Sequence, residues 1–297
     1  MDTMVRALVE DGRIRAFASV TTRLVEEARR RHGTAPTATA ALGRVLTASG
    51  LLTGTLKHGQ KVTLRILGDG PLGGILADGT AEGVVRGYVQ NPDVHLPLRS
   101  RRKLNVGAAV GRGTIHVTKD LGLRHPYHGS APLVSGEIAE DLAFYFAQSE
   151  QIPSVVSLGV LVEPDGRVCA AGGFIVQVLP GADQETVRYL EAHSRTLPPV
   201  TGLVRRGLGP RDLLEVALGG LAFRVLEERP VRFGCTCSLE RVTEVLLSLG
   251  ADELRSLLRE QGGAEVRCRF CGARYVLDAR TLSDLLRALE GRGQRPS

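Results

Sequence analysis

The sequence predicts an α+β fold in three parts: a mixed N-terminal core with β-sheets and packed helices, a helical connector, and a small C-terminal metal-binding domain. Three observations lead to this prediction. Strand-like and helix-like segments mix over the first 180 residues without a regular βαβ alternation, short helix-like segments follow, and four of the five cysteines lie beyond residue 231. We place the three parts at residues 1–180, 181–230 and 231–297.

Hydrophobic periodicity and turn residues predict the elements of the core. Alternation of apolar and polar residues indicates strands at 5–9, 13–18, 61–67, 74–77, 83–89, 114–118, 155–162 and 169–179. Apolar residues three and four apart indicate helices at 21–31, 38–56 and 137–148. The turn Glu10-Asp11-Gly12 predicts a hairpin between the first two strands, and the Ala-rich and Leu-rich segment 38–56 is expected to be a buried helix.

The connector has a more fragmented pattern than the core. Helices are predicted at 184–193, 203–206 and 211–226, and no strand is predicted there. Pro198-Pro199, Gly207 and Gly209-Pro210 interrupt the pattern. Because short isolated helices are marginal in water, we expect these helices to depend on a neighbouring surface.

Composition and charge narrow the classes of function. The 297 residues are 43% hydrophobic, which is enough for a packed core, and the net charge is +6. The densest basic run is Arg99, Arg101, Arg102 and Lys103; it has no interleaved aromatic residue, so we interpret it as solvated surface. The first 15 residues lack the apolar stretch of a secretory signal, and no apolar run spans a bilayer. We expect a cytoplasmic protein without a membrane partner, whose thiols are kept reduced.

Several short patterns resemble catalytic or cofactor-binding motifs but lack the neighbouring secondary structure that those motifs require. The run 68–73 matches G-x-G-x-x-G, but a short strand and not a helix follows it, which favours a hairpin connection. His125 and His128 flank a proline in a predicted loop, and Cys169 stands alone in a strand as a small apolar side chain. P-loop and nucleophile-elbow motifs are missing. We therefore predict no catalytic residue and no nucleotide cofactor, although missing motifs alone leave other enzyme classes open.

The remaining cysteines form two closely spaced pairs. Cys235 and Cys237 form a C-x-C pair, and Cys268 and Cys271 form a C-x-x-C pair followed by Gly272. Two such pairs complete the tetrahedral thiolate shell that zinc prefers. No histidine occurs from residue 231 onward, so a mixed cysteine and histidine shell has no candidate. The spacing predicts a closed site for one zinc ion.

The predicted C-terminal domain is near the size at which a hydrophobic core alone is marginal. Its helical patterns are 239–249, 252–260 and 282–289. Metal binding would then be part of the folding free energy of the domain. Thiolates are also the species that peroxide attacks, so the same site can act as a redox switch.

Beyond the cysteines, segments along most of the chain resemble the Hsp33 family of redox-regulated molecular chaperones. The shared segments are 68–78, 85–89, 145–153, 170–180, 233–238 and 268–272. The resemblance implies an ATP-independent holdase and not an enzyme. It also implies that the holdase is inactive when it is reduced and zinc-bound. It further implies that oxidation pairs Cys235 with Cys237 and Cys268 with Cys271, releases zinc, and unfolds the C-terminal domain and the connector. The oxidised protein would then form a homodimer and bind unfolded client proteins. Cys169 inherits no role from the resemblance.

Two other functions stay open on the sequence alone. A structural zinc protein that binds RNA is suggested by the sequence pI of about 9.3 and the arginine content. A thiol–disulfide oxidoreductase would use Cys268 and Cys271, but the thioredoxin-like βαβ setting of that class is not visible.

Overall fold

The strands alternate with helices in an irregular order, which confirms the α+β class. The structure is a computed structural model that describes residues 1–9, 12–99 and 103–293. Its strands are β1 Thr3–Val9, β2 Ile14–Val20, β3 Lys61–Gly68, β4 Gly74–Thr80, β5 Val84–Val89, β6 Gly113–Asp120, β7 Tyr127–Pro132, β8 Ser154–Val162, β9 Val168–Val178, β10 Phe223–Pro230, β11 Arg232–Phe233, β12 Gly263–Arg267 and β13 Arg274–Asp278. Its α-helices are α1 Thr22–His32, α2 Pro36–Leu52, α3 Val106–Val110, α4 Ala139–Tyr145, α5 Gln184–Ser194, α6 Val200–Arg205, α7 Pro210–Leu218, α8 Leu239–Ser248, α9 Ala251–Gln261 and α10 Ala279–Gly293.

The chain divides into two compact units, Met1–Gly234 and Cys235–Ser297. The predicted connector therefore packs within the first unit, and its separate behaviour as a redox-sensitive segment stays a prediction. Among the described residues, no helix combines the length and the apolar character that crossing a bilayer needs.

Two sheets enclose the central helix of the first unit. Sheet 1 has the order β10-β1-β2-β9-β8 and is antiparallel throughout, and sheet 2 has the order β11-β5-β4-β3-β6-β7. Helix α2 begins at Pro36, a residue suited to the first helical turn, and nearly all of its side chains are buried. Its Ala and Leu side chains pack in one hydrophobic core with both sheets. The predicted buried helix is thus confirmed, although it ends at Leu52.

One ion pair stabilises this core. The Arg44 guanidinium on α2 donates to the Glu137 carboxylate at 2.7 Å, and both side chains are about nine-tenths buried. Burial alone would raise the pKa of Glu137, but the hydrogen bond from Arg44 and the charges of Arg44 and Lys103 outweigh it and lower the pKa. Glu137 therefore stabilises the fold above the ordinary pKa of a glutamate, and this contribution is lost as pH falls through the lowered pKa.

We expect Glu137→Gln to lower the free energy of unfolding at pH 7 by about 3 kcal/mol, because it leaves the buried Arg44 without its counter-charge. The variant should also lose part of the acid sensitivity of the wild type. Urea unfolding at pH 7 and pH 4 measures both effects. The exposed Glu140→Gln, three residues along, is the matched control, and equal effects of the two substitutions would contradict the assignment.

The outer face of sheet 1 is covered by the connector helices. Apolar side chains of α5, α6 and α7 form one buried cluster with side chains of β1, β2 and β9. The cluster members from the helices are Leu190, Val200, Leu203, Leu213, Leu214, Ala217 and Leu218, and those from the sheet are Val5, Ala7, Val9, Ile14, Ala16, Ala18, Phe174 and Val176. We call this set of strand residues the connector face. The helices are six to eleven residues long, so this contact supplies the stability that they lack alone.

The predicted helix over 211–226 is wrong in its second half. Helix α7 ends at Leu218, where Gly219 and Gly220 both adopt positive φ, which favours glycine and ends a helix. The chain then forms β10, which pairs with β1 from Val9↔Phe223 to Thr3↔Pro230. Apolar and polar side chains alternate from Phe223 onward, but the leucines before them give a competing helical spacing.

The short segment after β10, residues 231–234, connects the two sheets. Val231 is buried in the central core, and its amide donates to the Asp2 carbonyl at 3.0 Å. Strand β11 then pairs in parallel with β5, and Arg31 lies over the Phe233 ring. Arg229 donates to the Ala81 carbonyl and to Thr53 Oγ1. Residues 223–234 are therefore held by both sheets.

Other differences from the sequence predictions are local. The helix predicted over 137–148 is α4 followed by a π-helical turn, Phe146–Glu150. Besides β10, the sequence prediction missed α3, β7, β11, β12 and β13, all of which are short. The run 68–73 is the hairpin connection between β3 and β4, as expected. Glu10 and Asp11 of the predicted hairpin turn, and Arg101 and Arg102 of the basic run, lie outside the described residues.

Candidate metal centre

The C-x-C pair lies in an extended segment that leads into α8. Cys237 directly precedes Ser238, whose hydroxyl accepts a hydrogen bond from the Arg241 amide and caps the helix. The Arg241 guanidinium reaches back to the Thr236 carbonyl at 3.1 Å and to its hydroxyl at 2.8 Å. These contacts hold Thr236, the residue between the two cysteines, and so restrict the directions of the Cys235 and Cys237 side chains.

The C-x-x-C pair occupies the turn between β12 and β13. The Cys268 amide donates to the Ala273 carbonyl at 2.9 Å, and the Gly272 amide donates to the Cys268 carbonyl at 2.8 Å. Gly272 has φ of 71°, a left-handed conformation that favours glycine. Gly272 thus suits the tight turn that follows the second cysteine pair, and the flanking strands place this turn opposite the C-x-C segment.

All four sulfur atoms converge. Each Sγ atom lies within 4.8 Å of the others. The Sγ atoms of Cys235 and Cys268 are 3.8 Å apart, and those of Cys237 and Cys271 are 3.3 Å apart. A tetrahedral ion with Zn–S bonds of about 2.3 Å requires sulfur separations of about 3.8 Å. A disulfide requires about 2.05 Å. The geometry therefore fits four ligands around one ion, and none of these four cysteines is in a disulfide.

The electrostatics of the cluster also point to a cation. Burial raises the pKa of Cys271 to about 12, and it raises the pKa of Cys268 against the opposing effect of amide hydrogen bonds from Cys271 and Phe270. Without a cation these thiols would stay protonated at neutral pH. A bound divalent ion reverses this balance, because it stabilises the thiolate directly. The residues present thus fit a metal of the soft, tetrahedral kind.

Tyr275 on β13 is a further residue of the centre, and the sequence prediction missed it. Its hydroxyl donates a hydrogen bond to Cys237 Sγ at 3.1 Å. This bond is the main cause that raises the pKa of Tyr275 to about 12. The signal available in the sequence was the alternation Tyr275, Leu277 in a five-residue strand, which places both side chains on the face toward α8 and α10.

The hydrophobic core of the C-terminal unit is small. Within the described part of this unit, six buried apolar residues form it: Val242, Leu246, Leu254, Ala264, Leu277 and Leu282. A core of this size is marginal for an independent domain. An ion bound by the cysteine cluster would therefore supply a large share of the stability of this unit.

The other candidate residues stay outside the centre. His128 lies on β7 and bonds to the Thr118 hydroxyl at 2.9 Å. Cys169 is half-buried on β9, and burial raises the pKa of its thiol to about 11. Among the residues that the structure describes, the four cysteines are the group of three or more ligand-type side chains that could share an ion.

Comparisons with known proteins agree with this architecture. The family model described as "Hsp33 protein" matches residues 2–278. The "33 kDa chaperonin" of Desulforamulus reducens is 50% identical over 289 residues, which cover 97% of this chain and 98% of that protein. The "33 kDa chaperonin" of Bacillus subtilis is 47% identical, with 96% and 98% covered. The crystal structure of the 33 kDa chaperonin from Thermotoga maritima superposes with a TM-score of 0.91 at 41% identity, covering 97% of this chain and 99% of that one.

Proposed function

This chain belongs to the Hsp33 family of chaperones, and on that premise we propose that it is a redox-regulated holdase that binds unfolding proteins without ATP. The single observation that supports the regulated form of this activity is the convergence of four cysteine sulfurs in a unit whose own core has only six buried residues. Such a unit is folded when its thiolates share an ion and is marginal when they do not.

We assign the metal as one zinc ion, held by Cys235, Cys237, Cys268 and Cys271. Zinc supplies a permanent positive charge that keeps the four sulfurs deprotonated and adds its binding free energy to the fold. The closed shell of four protein ligands leaves no position for a substrate water. This assignment therefore gives the ion a structural role and gives the chain no hydrolytic one, consistent with relatives that are named chaperonins.

In our proposal, oxidation removes the ligands in pairs. Two thiolates and one hydrogen peroxide, with two protons, give one disulfide and two water molecules, so that two peroxides consume all four sulfurs. We propose the pairs Cys235–Cys237 and Cys268–Cys271, which the family resemblance implies. The Sγ atoms of Cys237 and Cys271, which belong to different pairs, are only 3.3 Å apart. Peptide mapping of the oxidised protein should therefore also look for a Cys237–Cys271 disulfide. Disulfide sulfurs no longer bind zinc as thiolates do, and the unit then loses its principal source of stability.

We further propose that residues 181–230 act as the redox-sensitive connector and that its helices leave the connector face when the C-terminal unit unfolds. Helices α5–α7 are short and depend on this face for burial. Their release would expose a sheet surface of Val, Ala, Ile and Phe side chains, which suits apolar segments of unfolded clients. Strand β10 differs from the helices, since it is bonded along its length to β1, so we expect residues 223–230 to stay in place.

We also propose that the oxidised form is a homodimer, as the family resemblance implies, and that the protein acts in the cytoplasm. The RNA-binding alternative gains no support. Arg99 and Lys103 of the basic run both lie within 3.7 Å of the Glu137 carboxylate, which offsets part of their charge.

Comparison of the two redox states tests this function. We expect the oxidised protein to bind an apolar dye and to suppress aggregation of an unfolding test protein, while the reduced, zinc-loaded protein does neither. Hydrogen exchange on the same samples should show loss of protection in α5–α10 and retention in β10. Equal suppression of aggregation in both states would refute the redox part of the proposal.

A further inference from the structure

We propose that the Tyr275 hydroxyl slows oxidation of Cys237 and thereby raises the oxidant level at which the cysteine cluster responds. The inference rests on the proposed redox function, because it concerns the reactivity of one of its four thiolates. It starts from a single contact, the hydrogen bond that the hydroxyl donates to Cys237 Sγ at 3.1 Å. Tyr275 is a positioning residue in this proposal, since it acts through the sulfur.

The scaffold fixes this contact. Tyr275 pairs with Val266 across the β12–β13 hairpin, and its ring packs against the hydrophobic core of the C-terminal unit. The ring is therefore held by apolar contacts that do not involve the hydroxyl. A phenylalanine can keep these contacts, so the hydroxyl can be removed without removing the ring.

The donor that reaches Cys237 Sγ differs in kind from the donors that reach the two C-x-x-C sulfurs. Cys268 Sγ accepts hydrogen bonds from the Phe270 and Cys271 amides, and Cys271 Sγ accepts one from the Ala273 amide. These amides belong to the turn and are present whenever it is formed. Cys237 instead receives a side-chain hydroxyl, from a residue 38 positions later in the chain. The hydrogen bond to Cys237 Sγ can therefore be removed by a side-chain substitution that leaves the turn intact.

The chemistry gives the direction of the effect. In the first step the Cys237 thiolate attacks hydrogen peroxide, an S–O bond forms, the O–O bond breaks, and hydroxide leaves. In the second step the paired thiolate attacks the sulfenic sulfur, an S–S bond forms, and the S–O bond breaks with loss of a second hydroxide. The thiolate loses its negative charge in the first step, so a donor that stabilises that charge slows the attack. The nucleophilicity of a thiolate decreases when the electron density at its sulfur decreases. Loss of one hydrogen bond should therefore raise the rate of attack by about 3- to 10-fold.

The test uses the full-length, reduced, zinc-loaded protein and its Tyr275→Phe variant. Both are exposed to hydrogen peroxide, quenched at short times with an alkylating reagent, and mapped by mass spectrometry for each cysteine. We expect Cys237 to be oxidised about 3- to 10-fold faster in the variant, followed by its disulfide partner and by earlier zinc release. Initial rates at the cysteines outside that disulfide should be unchanged.

Two control variants separate reactivity from loss of structure. Ser283→Ala removes a hydroxyl from the same unit that donates to the Ala279 carbonyl, away from the cluster, and should leave every rate unchanged. Leu277→Ala removes a buried side chain two residues from Tyr275, and it should accelerate all four cysteines together. A spectroscopic readout is independent of oxidation: with cobalt in place of zinc, Tyr275→Phe should move the thiolate-to-metal charge-transfer band to lower energy.

The outcomes distinguish this inference from the proposed function. If the wild type loses zinc on oxidation but Tyr275→Phe oxidises at the same rate, the inference is wrong and the proposed function stands. If the variant accelerates all four cysteines as Leu277→Ala does, Tyr275 has only a structural role and the inference is also wrong. If the wild type retains zinc and thiols in peroxide, the proposed function itself fails.

Discussion

Replacing Cys271 by serine is expected to abolish stoichiometric zinc binding, to unfold the C-terminal unit and to release helices α5–α7, while α2 and the two sheets of the first unit stay folded. Cys271 is the most buried cysteine of the cluster, with 3% of its surface exposed. Zinc binding contributes about 10–16 kcal/mol in small domains of this kind, far more than a core of six apolar residues can supply alone. A serine hydroxyl at this position is a weak zinc ligand and leaves a polar group where the sulfur was buried.

Two measurements test this expectation together. Metal analysis of the purified variant should give well under one zinc per chain, and hydrogen exchange should show loss of protection in α8, α9 and α10 but not in α2. Cys169→Ser is the matched control, because Cys169 lies on β9, outside the cluster. A Cys271→Ser protein that keeps one zinc and full protection of α8–α10 would show that the cluster does not hold the unit together.

The second large effect is expected in the connector. Leu213 and Leu214 on α7 are both fully buried in the cluster over the connector face. Each Leu→Ala substitution there should cost about 2–5 kcal/mol, more than a nine-residue helix gains from its own hydrogen bonds. The double variant should therefore release the connector helices without oxidation. We expect the reduced, zinc-loaded double variant to suppress aggregation of an unfolding protein to an extent comparable with the oxidised wild type.

Glu215→Ala is the control for this experiment, because Glu215 is exposed on the same helix. It should leave the reduced protein inactive. Zinc content must stay at one per chain in both variants, so that activity is attributed to the connector alone. If the double variant loses protection in α5–α7 yet stays inactive when reduced, the connector face is not the surface that clients bind.

The cysteine cluster could be predicted from the sequence because its members are defined by short spacings. Cys268 and Cys271 share one turn, and Cys235 and Cys237 are separated by one residue, so local geometry alone directs each pair. Tyr275 could not be predicted in the same way. Its contact with Cys237 spans 38 residues and depends on the β12–β13 hairpin, whose strands are five residues each and have no strong periodicity.

The core helices and strands were predictable where the pattern is long and uniform, as in α2 and β9. The end of the connector was not, because the leucines of 211–226 continue a helical spacing past Gly219 and Gly220, while β10 is fixed by its pairing with β1. That pairing joins residues more than 200 positions apart, and local propensity does not report it. The packing of α5–α7 on sheet 1 could not be predicted either. The helical patterns show which residues are apolar but not which surface those residues bury.

The central claim, that the cysteine cluster controls chaperone activity, is tested most directly by peroxide titration of the reduced, zinc-loaded protein. Released zinc, free thiols and suppression of aggregation are followed on the same samples. We predict that the loss of four thiols and one zinc per chain coincides with the gain of activity, and that dithiol reduction with added zinc reverses all three. Full activity before any zinc or thiol is lost, or complete oxidation without activity, would contradict the claim.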